Sequence, residues 1–449
     1  MVALHPVPLD HGPPDASIPD TDLVIALADD AVLDRAGADA LVEYAATEPA
    51  DAWFGDVTHG SLTRLRTAWS PTRATEDPHA FAPFAVRAGW LRTQGIAADA
   101  PDVAQRLAQT EADVVHLTTT LTRHPSPPAT NVRSRPPSGR PSTDIPAAAI
   151  PATVTVVIPT AGARLPDGAV AVERLLARLG ALPERIESVF VVGDEFHADP
   201  AVLEGPGRRV VRRPPGPFNF SSAVNLGVLH ARSPIVLLLN DDTEPEGFAF
   251  IDRMAARLDD PRTAAVGALL TYPDGTVQHA GIVIDDARPL HPFVGWQPAA
   301  TEPHGGLVAR DVIAVTGACL MVRRRDFLAV GGMSPSFPLS FNDIDLCIRL
   351  RRAVGNVVIE PAATLVHHET LTRAPVIAPD EWDRWIGRWG EIVDPWYHPA
   401  HHRPDDPHAL ARNADHLPPA TDDPAVPVTT RRPVLRSRVH HARLAAADD

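Results

Sequence analysis

VLLLNDDTEP, residues 236–245, is a run of aliphatic side chains that stops abruptly at Asn240, Asp241 and Asp242. A strand that is apolar at every position is one buried on both faces, as in a parallel sheet covered by helices. Ligands of such sheets bind beyond the carboxyl ends of the strands, where these carboxylates stand. Two carboxylates there can hold a hard divalent cation that neutralises phosphates. They can equally close a turn through their own backbone.

The flanking segments repeat the strand and helix alternation. VTVVIPT (154–160), SVFVVGDE (188–195), RRVVRR (208–213) and PIVLLLNDD (234–242) read as strands, and AVAVERLLARLGAL (169–182) and FSSAVNLGVLHA (220–231) as helices. Thr160, Asp194 and the Asp241/Asp242 pair all fall at strand ends, so the reading brings them to one edge. In LSFNDIDLCIRLRR (339–352), Ser340 or Asn342 would cap a helix with Ile344, Cys347 and Ile348 inside and Asp345 paired with Arg349. Asp343 would project from the first turn, either as a proton acceptor or as a charge favourable to the helix dipole. TLVHHET (364–370) offers His367 and His368 as metal ligands or as an ordinary exposed pair.

A chain of 449 residues exceeds one ordinary core. Residues 124–152 are dense in Pro, Ser and Arg and read as a linker, and residues 400–449 lack the apolar content that offsets ordering entropy. The expected parts are residues 1–123, that linker, a main domain at 153–399 and a disordered tail. With 41 Lys+Arg, all Arg, against 56 Asp+Glu, the formal charge of -15 argues against nucleic acid as a partner. Cys319 and Cys347 are too few for a disulfide framework. The start lacks the regions of a signal peptide, and no stretch approaches the roughly 20 apolar residues of a membrane span. A cytoplasmic place is expected, at the inner face of the plasma membrane if the Arg/His-rich end RRPVLRSRVHHAR meets anionic lipid.

Taken in order, VTVVIPT, FNFSSAVNLGV, VLLLNDDTEP, DGTVQHAGIVI, GACLMVRRRDFLAVGG, FNDIDLCIRLR and LVHHET resemble the successive motifs of family 2 glycosyltransferases with the GT-A fold. The nearest in pattern are bacterial enzymes of cell-surface polysaccharide assembly, of the rhamnosyl- and galactofuranosyltransferase type. The resemblance implies an α/β GT-A fold, a nucleotide-sugar donor, a glycan or lipid-linked acceptor, and Mn²⁺ or Mg²⁺. It assigns 240–242 to the DXD-type motif, with Asn240 in the nucleotide site, Asp242 as principal metal ligand, and Asp241 on the ribose or sharing the metal. Asp343 becomes the base of an inverting displacement, with Asn342 replacing the commoner acid. His367, or else His368, completes the metal site. Thr160 and Asp194 fall near the nucleoside, although VVGDE departs from the usual pattern, and Asn225 falls where the donor site is supported. His279 of VQHAG matches a motif without an assigned role.

Residues 1–123 carry a second apolar run, VIALADDAVL (24–33), with Asp29 and Asp30 at its end. They resemble the later half of another such domain without the nucleotide-binding half, and without a counterpart of FNDIDLC. The expectation is a degenerate half-domain. Two other functions were weighed: an inactive scaffold of this fold, suggested by Asn342 and VVGDE, and a nucleotidyltransferase, which PTAGARLPDG fits poorly. Trp382, Trp385 and Trp389 recur at helical spacing and read as a buried face.

Overall fold

The computed structural model describes residues 2–8, 13–27, 31–47, 49–59, 62–64, 69–76, 82–98, 103–110, 112–124, 153–196, 199–285, 287–299, 307–368 and 377–397. The expected linker beyond His124, the tail from 400 on, and Asp29 and Asp30 lie outside the described residues. The chain divides into two compact units, Met1–Arg140 with Pro395–Val439, and Pro141–Asp394 with His440–Asp449. Among the described residues the division between the units after the second sheet falls at Asp394 and Pro395. Beyond it Trp396 belongs with the first unit, where its Nε1 donates to Trp69 O at 3.0 Å.

In the first unit the strands are β1 (Leu4–Pro8), β2 (Leu23–Leu27), β3 (Val32–Leu33), β4 (Ala52–His59), β5 (Leu62–Arg64), β6 (Ala85–Arg87) and β7 (Val114–His124). Its helices are α1 (Arg35–Thr47), α2 (Pro71–Glu76), α3 (Ala88–Gln94) and α4 (Val103–Gln109). The sheet runs β1-β2-β6-β4-β7-β3, with β5 beside β4. Apolar residues are buried on both of its faces, Phe54, Trp69 and Leu107 in one cluster and Leu23, Leu41 and Trp53 in another. Edge strand β1 is closed to a further strand. Leu23 N donates to Ala3 O, so alternate residues from Ala3 face β2, and Pro6 and Pro8 face outward without an N–H to offer.

In the second unit the strands are β8 (Val154–Thr160), β9 (Ile186–Val192), β10 (Arg208–Arg212), β11 (Ile235–Leu239), β12 (Thr243–Pro245), β13 (Thr263–Thr271), β14 (Val277–His279), β15 (Val283–Asp285), β16 (Arg288–Leu290), β17 (Arg310–Val312), β18 (Cys319–Arg323) and β19 (Asn356–His367). The helices are α5 (Ala171–Leu179), α6 (Phe220–His230), α7 (Ala249–Arg257), α8 (Arg324–Ala329), α9 (Asn342–Ala353) and α10 (Pro379–Trp389). The sheet runs β10-β9-β8-β11-β18-β13-β19-β12, and β10, β9, β8 and β11 are mutually parallel. Strand β18 is antiparallel to both neighbours, and β13 is parallel to β19.

The apolar runs read from the sequence are these central strands, and every residue of β8 and β13 is buried. On one face Ile158, Phe190 and Leu237 share a core with Leu175 of α5 and Met254 of α7. Burying each such side chain contributes about 1.5–3 kcal/mol. On the other face α6 comes so close that a Cβ on Gly227 would meet Val157 Cγ1 at 2.3 Å. Pro159 sits inside β8 without breaking a ladder there, because the register with β11 ends at Val157 and Leu238.

The two sheets share an order. The path β1-β2-β6-β4-β7-β3 matches β8-β11-β18-β13-β19-β12, with the same parallel or antiparallel sense at each step. Strand β5 pairs β4 as β14 pairs β13, and α3 and α4 follow β6 as α8 and α9 follow β18. A helix thus stands at the place of α9, where the sequence offered no counterpart, but α4 has no acid in its first turn.

Candidate functional site

The carboxyl ends of β8, β11 and β19 meet at one edge of the second sheet. A cleft of about 390 Å³ opens there, lined at its floor by Asn240, Asp242 and His367 and across from them by Asn342 and Asp343. Thr316, Gly317 and His291 form a further wall, and Phe218, Leu339, Phe341 and Ile377 give the remainder an apolar character. Phe218, Leu339 and Ile377 are exposed.

Asp242 and His367 carry the polar chemistry of the floor. His367 Nε2 lies 3.1 Å from Asp242 Oδ1, a buried oxygen with no hydrogen-bond partner. The His367 Nδ1 side is 2.6 Å from Gln278 Oε1. Because the amide nitrogen of Gln278 donates to His367 O at 3.2 Å, its oxygen must face Nδ1, and an amide oxygen only accepts. The Nδ1 proton is therefore committed to Gln278, and Nε2 is turned to the carboxylate. Asn240 Nδ2 approaches the same Nε2 at 3.5 Å.

Adjacent residues of a strand point to opposite faces, and this decides between the two histidines. His368 Nε2 meets Glu244 Oε1 at 2.8 Å, away from Asp242, and Glu244 is also held by Arg174 and Arg178. His367 is the residue at the cleft.

Asp241 does not line the cleft with Asp242. Its Oδ2 accepts from Thr160 Oγ1 at 2.6 Å, and Thr160 Oγ1 in turn accepts from Gly162 N at 3.1 Å. Desolvation of the carboxyl, and then the neighbouring charge of Asp242, push Asp241 up to about 7. Among the described residues no three His, Cys, Asp or Glu side chains gather around one point. Asp242 and His367 supply two converging donors, an orphaned carboxylate oxygen and an imidazole nitrogen. That pair fits a divalent cation whose other positions are filled by diphosphate oxygens and water. The expected sharing of a metal by Asp241 does not appear in this geometry.

Asp343 lines the same cleft from the start of α9. Its Oδ2 accepts from Gly317 N and its Oδ1 from Ile344 N, each at 2.8 Å. Neither Ser340 nor Asn342 caps the helix as expected. The N-cap is Phe341 at φ 62, with no side-chain cap bond, and the Asn342 and Asp343 side chains take the N–H groups that follow them. A left-handed Phe is sparsely populated and costs about 1–3 kcal/mol. Its ring stacks on Trp385 at 4.9 Å and 17° and meets Trp382 at 5.9 Å, contacts that hold it there. Asp345 pairs with Arg349 at 2.6 Å as expected, and also accepts from Trp389 Nε1.

Two expected donor-site residues stand elsewhere. Asn225 uses both amide atoms on the backbone of Met333, at 2.8 Å each, so it braces the Gly331–Gly332 turn instead of a ligand. A Cβ on Gly332, at φ 69, would meet Asn225 Oδ1 at 2.5 Å. Asp194 is exposed in the turn after β9 and is not among the cleft residues. Beside it Glu195 pairs with Arg213.

The VQHAG motif is resolved at both polar residues. His279 Nε2 accepts from Gly281 N and Thr316 N, each at 3.3 Å, so its proton sits on Nδ1 and is given to His291 Nδ1 at 3.0 Å. Burial, and then His291, hold the His279 imidazole far below its ordinary range and keep it neutral. Gln278 and His291 were not singled out from the sequence. The signal for Gln278 was its place beside a His in a motif without a stated role.

Residues 155–329 match the model of the family described as "Glycosyl transferase family 2". The chain is 33% identical over 194 residues to the O-antigen biosynthesis protein RfbC of Myxococcus xanthus, covering 41% of this chain and 15% of that one. It is 28% identical over 225 residues to the N-acetylglucosaminyl-diphospho-decaprenol L-rhamnosyltransferase of Mycobacterium tuberculosis, covering 44% and 71%. A crystal structure of GalNAc-T7 with UDP, GalNAc and Mn²⁺ superposes with TM-score 0.41 at 15% identity, over 53% of this chain and 48% of that one. The chain spans only 15% of the Myxococcus protein and 23% of a Sinorhizobium fredii relative. The second unit of this chain matches the family 2 glycosyltransferase model over residues 155–329 and is an α/β unit with a mostly parallel sheet between helices.

Proposed function

We propose that the second unit is a metal-dependent, inverting glycosyltransferase. It moves a sugar from a nucleotide-sugar donor to a hydroxyl of a glycan or lipid-linked acceptor in cell-envelope polysaccharide synthesis. One observation carries the reading: the unpartnered Oδ1 of Asp242 and the Nε2 of His367 converge at 3.1 Å on the floor of the cleft that Asp343 faces. The described lining of the cleft includes two carboxylates, Asp242 and Asp343, so a diphosphate there would meet negative charge that a cation offsets. Held by Asp242 and His367, Mn²⁺ or Mg²⁺ would supply positive charge to the leaving diphosphate.

The chain's own part in transfer falls to Asp343. Anchored by Gly317 N–H and Ile344 N–H, its carboxylate takes the proton of the acceptor hydroxyl as that oxygen bonds to the anomeric carbon. The bond from that carbon to the diphosphate breaks on the opposite face, which inverts the centre. The apolar wall of Phe218, Leu339 and Ile377 suits an acceptor with a sugar face or lipid portion to bury. No helix among the described residues is long and apolar enough to cross a membrane, and the proposed place of action is the inner face of the plasma membrane.

Asp343→Asn keeps the shape of the side chain and removes its basicity. Turnover should fall by about 10²–10⁴-fold with donor binding retained, measured by nucleoside diphosphate release and by calorimetry. Unchanged turnover would reject the assignment.

For the first unit we infer a degenerate half-domain, equivalent to β8, β11–β14, β18 and β19 with α7–α9, and lacking β9, β10, α5 and α6. The matched strand order supports this reading, and it gives the chain a single donor site.

A further inference from the structure

Gln278 is a buried residue in β14, and both atoms of its amide contact His367. Its nitrogen grips the His367 carbonyl and its oxygen takes the Nδ1 proton, so backbone position and ring orientation are fixed by the same side chain. An imidazole that binds a cation through Nε2 must carry its proton on Nδ1. In the other tautomer, Nε2 would offer a proton to Asp242 Oδ1 and occupy the place of the metal. Among the described residues Asn240 Nδ2 approaches Nε2 as a donor at 3.5 Å and weakly favours the same tautomer, while Asp242 Oδ1 at 3.1 Å favours the other, so the 2.6 Å contact to Gln278 is the shortest that holds the proton on Nδ1.

We propose that Gln278 is a positioning residue that sets the tautomer and aim of His367 as a metal ligand. The inference rests on the metal reading of the cleft. It also divides the labour of the VQHAG motif. Gln278 prepares the cation side, while the neighbouring His279 accepts from Thr316 N, one residue before the Gly317 N–H that anchors Asp343.

The test is Mn²⁺ binding to the full chain without donor, followed by electron paramagnetic resonance. Gln278→Leu should weaken binding by about 10- to 100-fold, the usual cost of losing a partner behind a ligating imidazole. Gln278→Glu, which still accepts the Nδ1 proton, should stay close to wild type. His367→Ala should weaken binding too, and adding Gln278→Leu to it should cost nothing more. Wild-type affinity in Gln278→Leu, or a full further loss in the double variant, would overturn the role of Gln278. An unchanged His367→Ala would instead overturn the metal reading itself. Should Gln278→Leu fail to fold, Gln278→Asn, one methylene too short to reach the ring, replaces it with the same expected loss.

Discussion

From the strand before each acidic pair onward, the sheets of the two units are ordered alike, yet only the second continues past β8 into β9 and β10. The likeness extends to side chains. Arg323, at the end of β18, donates to Leu258 O, Asp260 O and Thr263 O, tying the end of α7 to the start of β13. Arg87, at the end of β6, donates to Ala45 O and Ala50 O, tying the end of α1 to the approach to β4. The registers agree as well. Glu244 pairs Val366 and Val32 pairs Arg123, so His124 occupies the register position of His367. What separates the units is the half that would hold a nucleoside, and in the first unit the outward prolines of β1 close that edge. A strand order survives on packing alone, whereas the proposed donor site also uses the added strands, a first-turn acid and a His aimed at a carboxylate.

The largest break between the halves should come at the acidic pairs. Asp242→Ala should abolish Mn²⁺-dependent donor binding, while Asp30→Ala should leave it unchanged, and titration should find one donor site per chain. A second site of equal affinity would contradict the half-domain reading. A smaller effect is expected at the matched arginines. Arg323→Ala and Arg87→Ala each leave buried carbonyls without a charged donor and should cost about 1.5–3 kcal/mol. By hydrogen exchange the loss should map to the unit that carries each change, and only Arg323→Ala should lower turnover. Loss of protection in the wrong unit would deny that the two arginines are equivalent.

Much of the second fold was legible because its central strands β8 and β11 are largely apolar along their length, as expected of a sheet covered on both faces. The place of Asp343 at the start of a helix was legible in the sequence, while its role as base came from the resemblance and stays a proposal. His367 and His368 could not be separated in the sequence, since one residue of register decides which faces Asp242. Asn225 was placed at the donor site by resemblance, while its amide is spent on Met333, a long-range contact that no local pattern encodes. The cap of α9 was misread for a similar reason. A left-handed Phe341 is held there by aromatic rings of α10, about forty positions on, and not by local hydroxyl or amide chemistry. Gln278 escaped notice because a buried amide has no signature until its partner is known.

Sugar transfer by the second unit is proposed to depend on a divalent cation. The direct measurement is nucleoside diphosphate release from a panel of nucleotide sugars with Mn²⁺ or Mg²⁺, before and after EDTA. Release from at least one donor, lost with EDTA and restored by added metal, is the predicted result. Release untouched by EDTA, or neither release nor binding for any donor, would contradict it.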